Sequence, residues 1–204
     1  MLLQKEKIKA VFKKVQQIKE HTVLYCLSRD NIPVSIVDLH WVIQDMYGLQ
    51  IKMWEVSFAA EFTRGGVARF NDNKALILVK SGQAKELLRY VCTKELSHLV
   101  IDEKEDWSAD VLETIENMIV EFTLAAQGNH KEADNEVQSE ILAELAALEI
   151  LYPHEFREAD NAALAAGTTT IPKLALDYEI PEFAVSRALS ATHMKLCKEI
   201  WGAL

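Results

Sequence analysis

Cysteine is scarce in this sequence of 204 residues. Its three thiols, Cys26, Cys92 and Cys197, are widely spaced, odd in number and free of any C-x-x-C pairing. That excludes a disulfide frame and a zinc knuckle, and leaves buried thiols in a reducing cytoplasm as the expectation. Long hydrophobic runs are missing as well: the longest, such as Ala75-Leu76-Ile77-Leu78-Val79, are strand-sized and far below a membrane span. Lys5, Lys7, Lys9, Lys13 and Lys14 are followed by no apolar h-region or small-residue cleavage site, so a secretory signal is not expected. Positive charge is in deficit, with 22 Lys and Arg against 31 Asp and Glu and a formal charge of −9. Broad nucleic-acid binding, which needs phosphate-neutralising cations, is therefore not expected. No internal repeat or low-complexity segment is present.

Half of the residues are hydrophobic, enough for a chain of this length to bury a sizeable core as one domain, with or without helical decoration. In the first twenty residues Ile8, Val11, Phe12, Val15 and Ile18 recur at helical spacing with lysines between them. Such a basic amphipathic helix either docks on acidic surfaces and membranes or packs one face on its own domain, the commoner outcome. Pro33 suits the opening of the next helix. Val34 to Tyr47 reads as that helix, apolar at Ile36, Val37, Leu39, Val42, Ile43 and Met46 and stopped by Gly48. From Ile51 the period changes to two and predicts a strand. Arg64-Gly65-Gly66 predicts a turn, Val67 to Phe70 a second strand, Asn71-Asp72-Asn73 a hairpin turn, and Ala75 to Lys80 a third, fully buried strand. These strands run into a helix from Gln83 to about Asp102. Everything after it reads helical: Trp107 to Ala126, Ala133 to Leu151, Pro153 to Ala166, then two short helices at Ile171 to Tyr178 and Pro181 to Cys197. The expected fold is α+β, a small antiparallel three-stranded sheet flanked by helices. Its expected divisions are a basic helix at 1–30, a core at 31–151 with a helical insertion at 103–138, and a helical region at 152–204.

The helix from Gln83 to Asp102 is apolar at Leu87, Leu88, Val91, Leu96, Leu99 and Val100, yet carries Lys94, Glu95 and His98. Buried charges need partners or they neutralise. In the motif H-E-x-x-H, two histidines four residues apart share a helix face and bind Zn²⁺, and the glutamate beside the first acts as general base. Thr93-Lys94-Glu95-Leu96-Ser97-His98 has the glutamate and the second histidine in place, with Lys94 where the first histidine belongs. A protonated ammonium has no lone pair to give a metal.

Three stretches carry a family likeness. Arg89 to Asp102, RYVCTKELSHLVID, looks like R-F-T-x-A-H-E-L-G-H-L-L-x-H; Ala146 to Pro153, AALEILYP, is similar to F-A-A-E-L-L-M-P; and Leu174 to Leu189 resembles L-A-x-x-F-x-V-S-x-x-A-V-x-x-R-L. With the order of elements from about Val34 to Leu189, the chain resembles the ImmA/IrrE family of bacterial zinc-dependent endopeptidases, which have a zincin-like fold. The resemblance implies a site in which two histidines and an acidic residue hold Zn²⁺ and the helix glutamate takes a proton from the metal-bound water. It also implies a cytoplasmic protein of a bacterium or prophage, with a helix-turn-helix repressor as partner. The departures are Lys94 for the first histidine, Ser97 for the motif glycine and Asp102 for a trailing histidine. The third ligand is expected seven residues before Glu149, which lands on Leu142, with Glu140 and Glu144 on either side out of register.

Three readings compete. In the first the chain is a pseudo-peptidase that recognises a protein partner without cutting it. Lys94 and Glu95 hold the catalytic positions, the ammonium pairs with Glu95 and with Glu140 or Glu144, and no cofactor is expected. In the second it is an active metallo-endopeptidase with a rearranged site, zinc or another divalent metal sitting on His98 and Glu140, with Asp102 and Glu144 as alternative ligands. In the third the likeness is fold-deep and the cluster is a salt-bridged helix. None of these calls for a nucleic-acid or membrane partner. His40, His130, His154 and His193 stand singly and read as surface or core. Cys92 points about 200° away from Lys94 on the helix and reads as a buried structural thiol. The pair of helices joined at Glu179-Ile180-Pro181 has the outline of a helix-turn-helix, but with only Arg187 and Lys195 on its second helix it is expected to be a structural hairpin. Trp54, Phe58 and Phe62 either line a peptide groove or sit in the core.

Overall fold

The apolar stripe of the first twenty residues finds its partner inside the fold. In the computed structural model, which describes residues 5–25, 34–57, 64–71, 73–102 and 135–204, α1 (Lys5–Tyr25) buries Ile8, Val11, Phe12, Val15 and Ile18 almost completely. They join one core with α2 (Ile36–Tyr47), the sheet, α3 (Lys85–Ile101), α4 (Asn135–Leu151) and α8 (Ala191–Trp201). The basic helix is thus docked. Its lysines stay at the rim, and Lys14 Nζ donates to the carbonyl of Val100 in the last turn of α3, where orphan carbonyls favour a cation. Ser35 caps α2, and Gly48 closes it at φ +61°, a left-handed backbone that costs glycine little.

The sheet is mixed, which corrects the expected all-antiparallel arrangement. β1 (Gln50–Val56), β2 (Gly65–Asn71) and β3 (Lys74–Lys80) lie in the order β1-β3-β2. The short Asn71–Lys74 connection makes β2 and β3 an antiparallel hairpin, whereas β1 pairs with the far side of β3 in parallel, Gln50 opposite Lys74 and Val56 opposite Lys80. A parallel neighbour needs a long connection, and the segment from β1 to β3 supplies it by containing β2. β3, the most apolar of the three, takes the centre and buries Ala75, Ile77 and Val79 against the core. Gly65 and Gly66, expected in a turn, lie instead in β2. Among the described residues there are eight helices, and the fold is α+β.

After α4 come α5 (His154–Ala165), α6 (Ile171–Tyr178), α7 (Glu182–Ala188) and α8. The helix expected from Pro181 to Cys197 is two helices, because Ser190 breaks it and caps α8 by accepting from the backbone N–H of His193. Trp54 is more than half exposed and so stands outside the core. Cys26, Pro33, Phe58, Phe62, His130 and the helix expected from Trp107 to Ala126 lie outside the described residues. No described helix is long and apolar enough to cross a membrane.

Candidate functional site

α3 is buried on most sides, with Tyr90 to Thr93 and Glu95 to Val100 all largely hidden. It lies against β2 and β3 on one side and α4 on the other. Within it Thr93 and Ser97 turn their hydroxyls back to the carbonyls four residues earlier, so each satisfies its own polarity inside the helix. The charged groups have to look further afield, and they find one another.

Lys94 Nζ sits 2.7 Å from Glu140 Oε2, to which it donates, and 3.1 Å from Glu95 Oε1. His98 Nε2 faces the other Glu140 oxygen at 3.0 Å. On its far side His98 Nδ1 lies 3.0 Å from Asp102 Oδ2, and the Ser139 hydroxyl donates to Asp102 Oδ1 at 2.5 Å. Glu140, two residues before the Leu142 reached by sequence counting, is thus the acid that faces both Lys94 and His98. Leu142 points into the core at 9% exposure. Glu144, one turn beyond Glu140, is ion-paired with Arg187 of α7, which removes it from the cluster. Asp102 reaches only the outer nitrogen of His98 and orients the ring. Of the acids weighed from sequence, Glu140 alone faces His98 Nε2.

The backbone of β2 closes the site from above. A Cβ on Gly65 would meet Val91 Cγ1 at 2.6 Å and Glu95 Oε1 at 2.7 Å, so only glycine lets the strand approach the Glu95 carboxyl this closely. Glu95 is 1% exposed.

Burial works against every charge here, and the neighbours decide the outcome. For Lys94 burial disfavours the ammonium, but Glu95 and Glu140 outweigh it and hold it above the usual lysine range. His98 is likewise opposed by burial and carried above the usual histidine range by Glu140 and Asp102. Glu140 would be raised by burial, yet His98 and Lys94 bring it well below the usual carboxylate range. For Glu95 burial prevails over Lys94 and His98, and the carboxyl is raised. Two basic side chains, Lys94 and His98, thus share the Glu140 carboxylate between them.

The donor set around Lys94 does not fit zinc. A zinc site of this type takes three protein ligands with lone pairs. Here the first position is an ammonium, held between Glu95 and Glu140. Cys92, 5% exposed, has its thiol pushed up to about 12 by burial, with Glu95 and Glu55 adding to it; it is the inert structural cysteine expected.

Elsewhere the structure gathers residues that looked scattered in sequence. His193 and Cys197 on α8 and Glu149 on α4 place one potential ligand atom each within 4.8 Å of one another. His154, at the start of α5, stands 3.9 Å from Glu149. The spacing of His193 and Cys197, four residues apart on one helix, was the available signal. Comparison of the chain with protein-family models, with curated proteins and with solved structures finds no match.

Proposed function

We propose that this chain is a non-catalytic, zincin-like protein of the ImmA/IrrE type, a pseudo-peptidase that recognises a protein partner without cleaving it. The observation that carries the reading is the position of Lys94 Nζ, within hydrogen-bonding reach of both Glu95 and Glu140. A fixed ammonium there compensates buried carboxylates as a metal ion would, while offering neither a lone pair nor a Lewis-acid centre. Lys94 lies within ion-pair distance of both carboxylates, which supports compensation of their charge by the protein itself. The rival, an active metallo-endopeptidase with metal on His98 and Glu140, would take its third ligand from Asp102 or Glu144, of which the first faces His98 Nδ1 and the second is paired with Arg187.

The resemblance makes a cytoplasmic helix-turn-helix repressor the first partner to test. Beside the site Phe183 of α7, half exposed, stands edge-on to Tyr90 at 5.5 Å, one turn before Lys94 on α3, and is the residue to substitute first in such a test.

The test is metal analysis of the protein purified without added zinc, together with a Lys94→His variant. The parent is expected to hold no metal that depends on His98. Lys94→His is expected to gain an equivalent of zinc, because Glu140 and His98 already stand at the other two positions. That equivalent should disappear when His98→Gln is combined with it. Metal in the parent that is lost on His98→Gln overturns the reading.

A further inference from the structure

The end of α4, the start of α5 and α8 meet at a second buried polar cluster. Glu149 is fully buried and divides its two oxygens. Oε2 accepts from the indole N–H of Trp201 at 3.1 Å, and the His154 ring, which stacks on that indole, lies 3.9 Å away. Oε1 accepts from the Cys197 thiol at 3.2 Å, and Arg157 Nη1 lies 2.6 Å from it. His193 Nε2 faces the same oxygen from 3.7 Å, beyond hydrogen-bonding distance. That nitrogen is buried and has no hydrogen-bond partner, on a residue only 6% exposed. An unpaired imidazole nitrogen in the interior costs free energy that a ligand would recover.

We propose that Glu149, His193 and Cys197 form a binding site for a divalent metal ion of zinc's class, with the fourth position left to water. Thiolate, imidazole and carboxylate is a donor set that zinc takes in tetrahedral sites. His193 and Cys197, four apart on α8, share one face of the helix, and Ser190 fixes the start of that helix. A cavity of about 660 Å³, lined by His154, Arg157, Met194, Cys197 and Trp201 among others, opens beside the cluster and gives an ion its way in.

Arg157 is the group an ion must accommodate. Its Nε and Nη2 are held by the carbonyls of Tyr152 and Leu148, so the guanidinium stays in place when Nη1 gives up Glu149 Oε1. Nη1 is already 3.4 Å from Cys197 Sγ. Metal binding releases the thiol proton to solvent, and Arg157 then faces a thiolate, a better partner than the thiol. The carboxylate and the thiolate together neutralise the divalent ion. Two helices far apart in sequence, α4 and α8, would be tied by one centre, making the site a structural clip.

The probe is Co²⁺, added to the full-length, reduced, chelator-stripped protein, with thiolate-to-cobalt charge-transfer absorption as the readout. The expected result is a band that saturates at one equivalent and is bleached by Zn²⁺. It should be absent in Cys197→Ser and in His193→Gln, and retained in Cys26→Ser, Cys92→Ser and His98→Gln. Circular dichroism checks that each variant folds; if Cys197→Ser does not, His193→Gln decides. No band in the parent, or a band that survives in folded Cys197→Ser or His193→Gln, overturns the proposal. Cobalt bound without a charge-transfer band, and lost in His98→Gln, overturns both this site and the pseudo-peptidase reading.

Discussion

Lys94 carries its charge into an interior where Glu95 and Glu140 both touch its ammonium. Removing one member of a buried ionic cluster is far worse than never having built it, because the partners stay behind uncompensated. Lys94→Met is expected to cost about 3 kcal/mol at neutral pH, the low end of the range for broken buried pairs, since the Lys94 side chain keeps some solvent contact. The sign of its pH dependence follows from Glu95. Its carboxyl is already raised by burial and, without Lys94, rises further. A carboxyl with a folded-state pKa above the unfolded one binds its proton preferentially in the folded state, so stability falls as pH climbs through that value. The deficit of Lys94→Met against the parent in urea unfolding should therefore be smaller at about pH 5 than at about pH 8. A deficit that is flat across that range, or below about 1 kcal/mol, means the ammonium is not the compensating charge.

At the scale of elements, the junction of α4, α5 and α8 rests on one carboxylate in the metal-free protein. Burial pushes Glu149 up, but His193, the Arg157 charge, Cys197 and Trp201 overcome it and bring it down to about 2. A depressed carboxyl contributes stability that is complete above its ordinary value and is lost as pH falls through the folded one. From 4.5 to about 2 this amounts to roughly 3 kcal/mol. Glu149→Gln should be less stable than the parent near neutrality, with the two acid-unfolding curves converging below pH 4.5 toward 2. Parallel curves would remove Glu149 from the linkage. Such junctions are poorly legible in sequence for a physical reason. The helices were readable because their apolar periods are local, α6 to the residue. The identity of the third acid was not, since Glu140 and Leu142 are two residues apart and point about 200° apart on α4. Counting along a motif cannot decide which of them turns toward α3; packing does, sending Leu142 to the core and Glu140 to His98. Gly65 misled in the same way. Its composition reads as a turn, while its use is close approach to Glu95. The place of β1 beyond β3 is likewise a tertiary choice that no local period encodes.

Over the whole molecule, α1 is part of the core, the commoner of the two outcomes its pattern allows. Phe12 is fully buried and its ring centroid lies 5.1 Å from that of Trp201, the last residue of α8. The same indole stacks on His154 and donates to Glu149. The first helix therefore leans on the residue that anchors the α4–α5–α8 junction, and Lys14 ties it to the end of the helix that carries Lys94. Helices that share one apolar core unfold together. Truncating a buried phenylalanine to alanine costs roughly 3–5 kcal/mol through lost transfer energy and the cavity left behind. Phe12→Ala should lower global stability by that amount while the denaturant transition stays single, with m unchanged. Amide exchange in α4, far from the substitution in sequence, should speed up in proportion to the lost stability. A two-step transition, or faster exchange confined to α1, would show the basic helix to be an independent unit resting on a core that is complete without it.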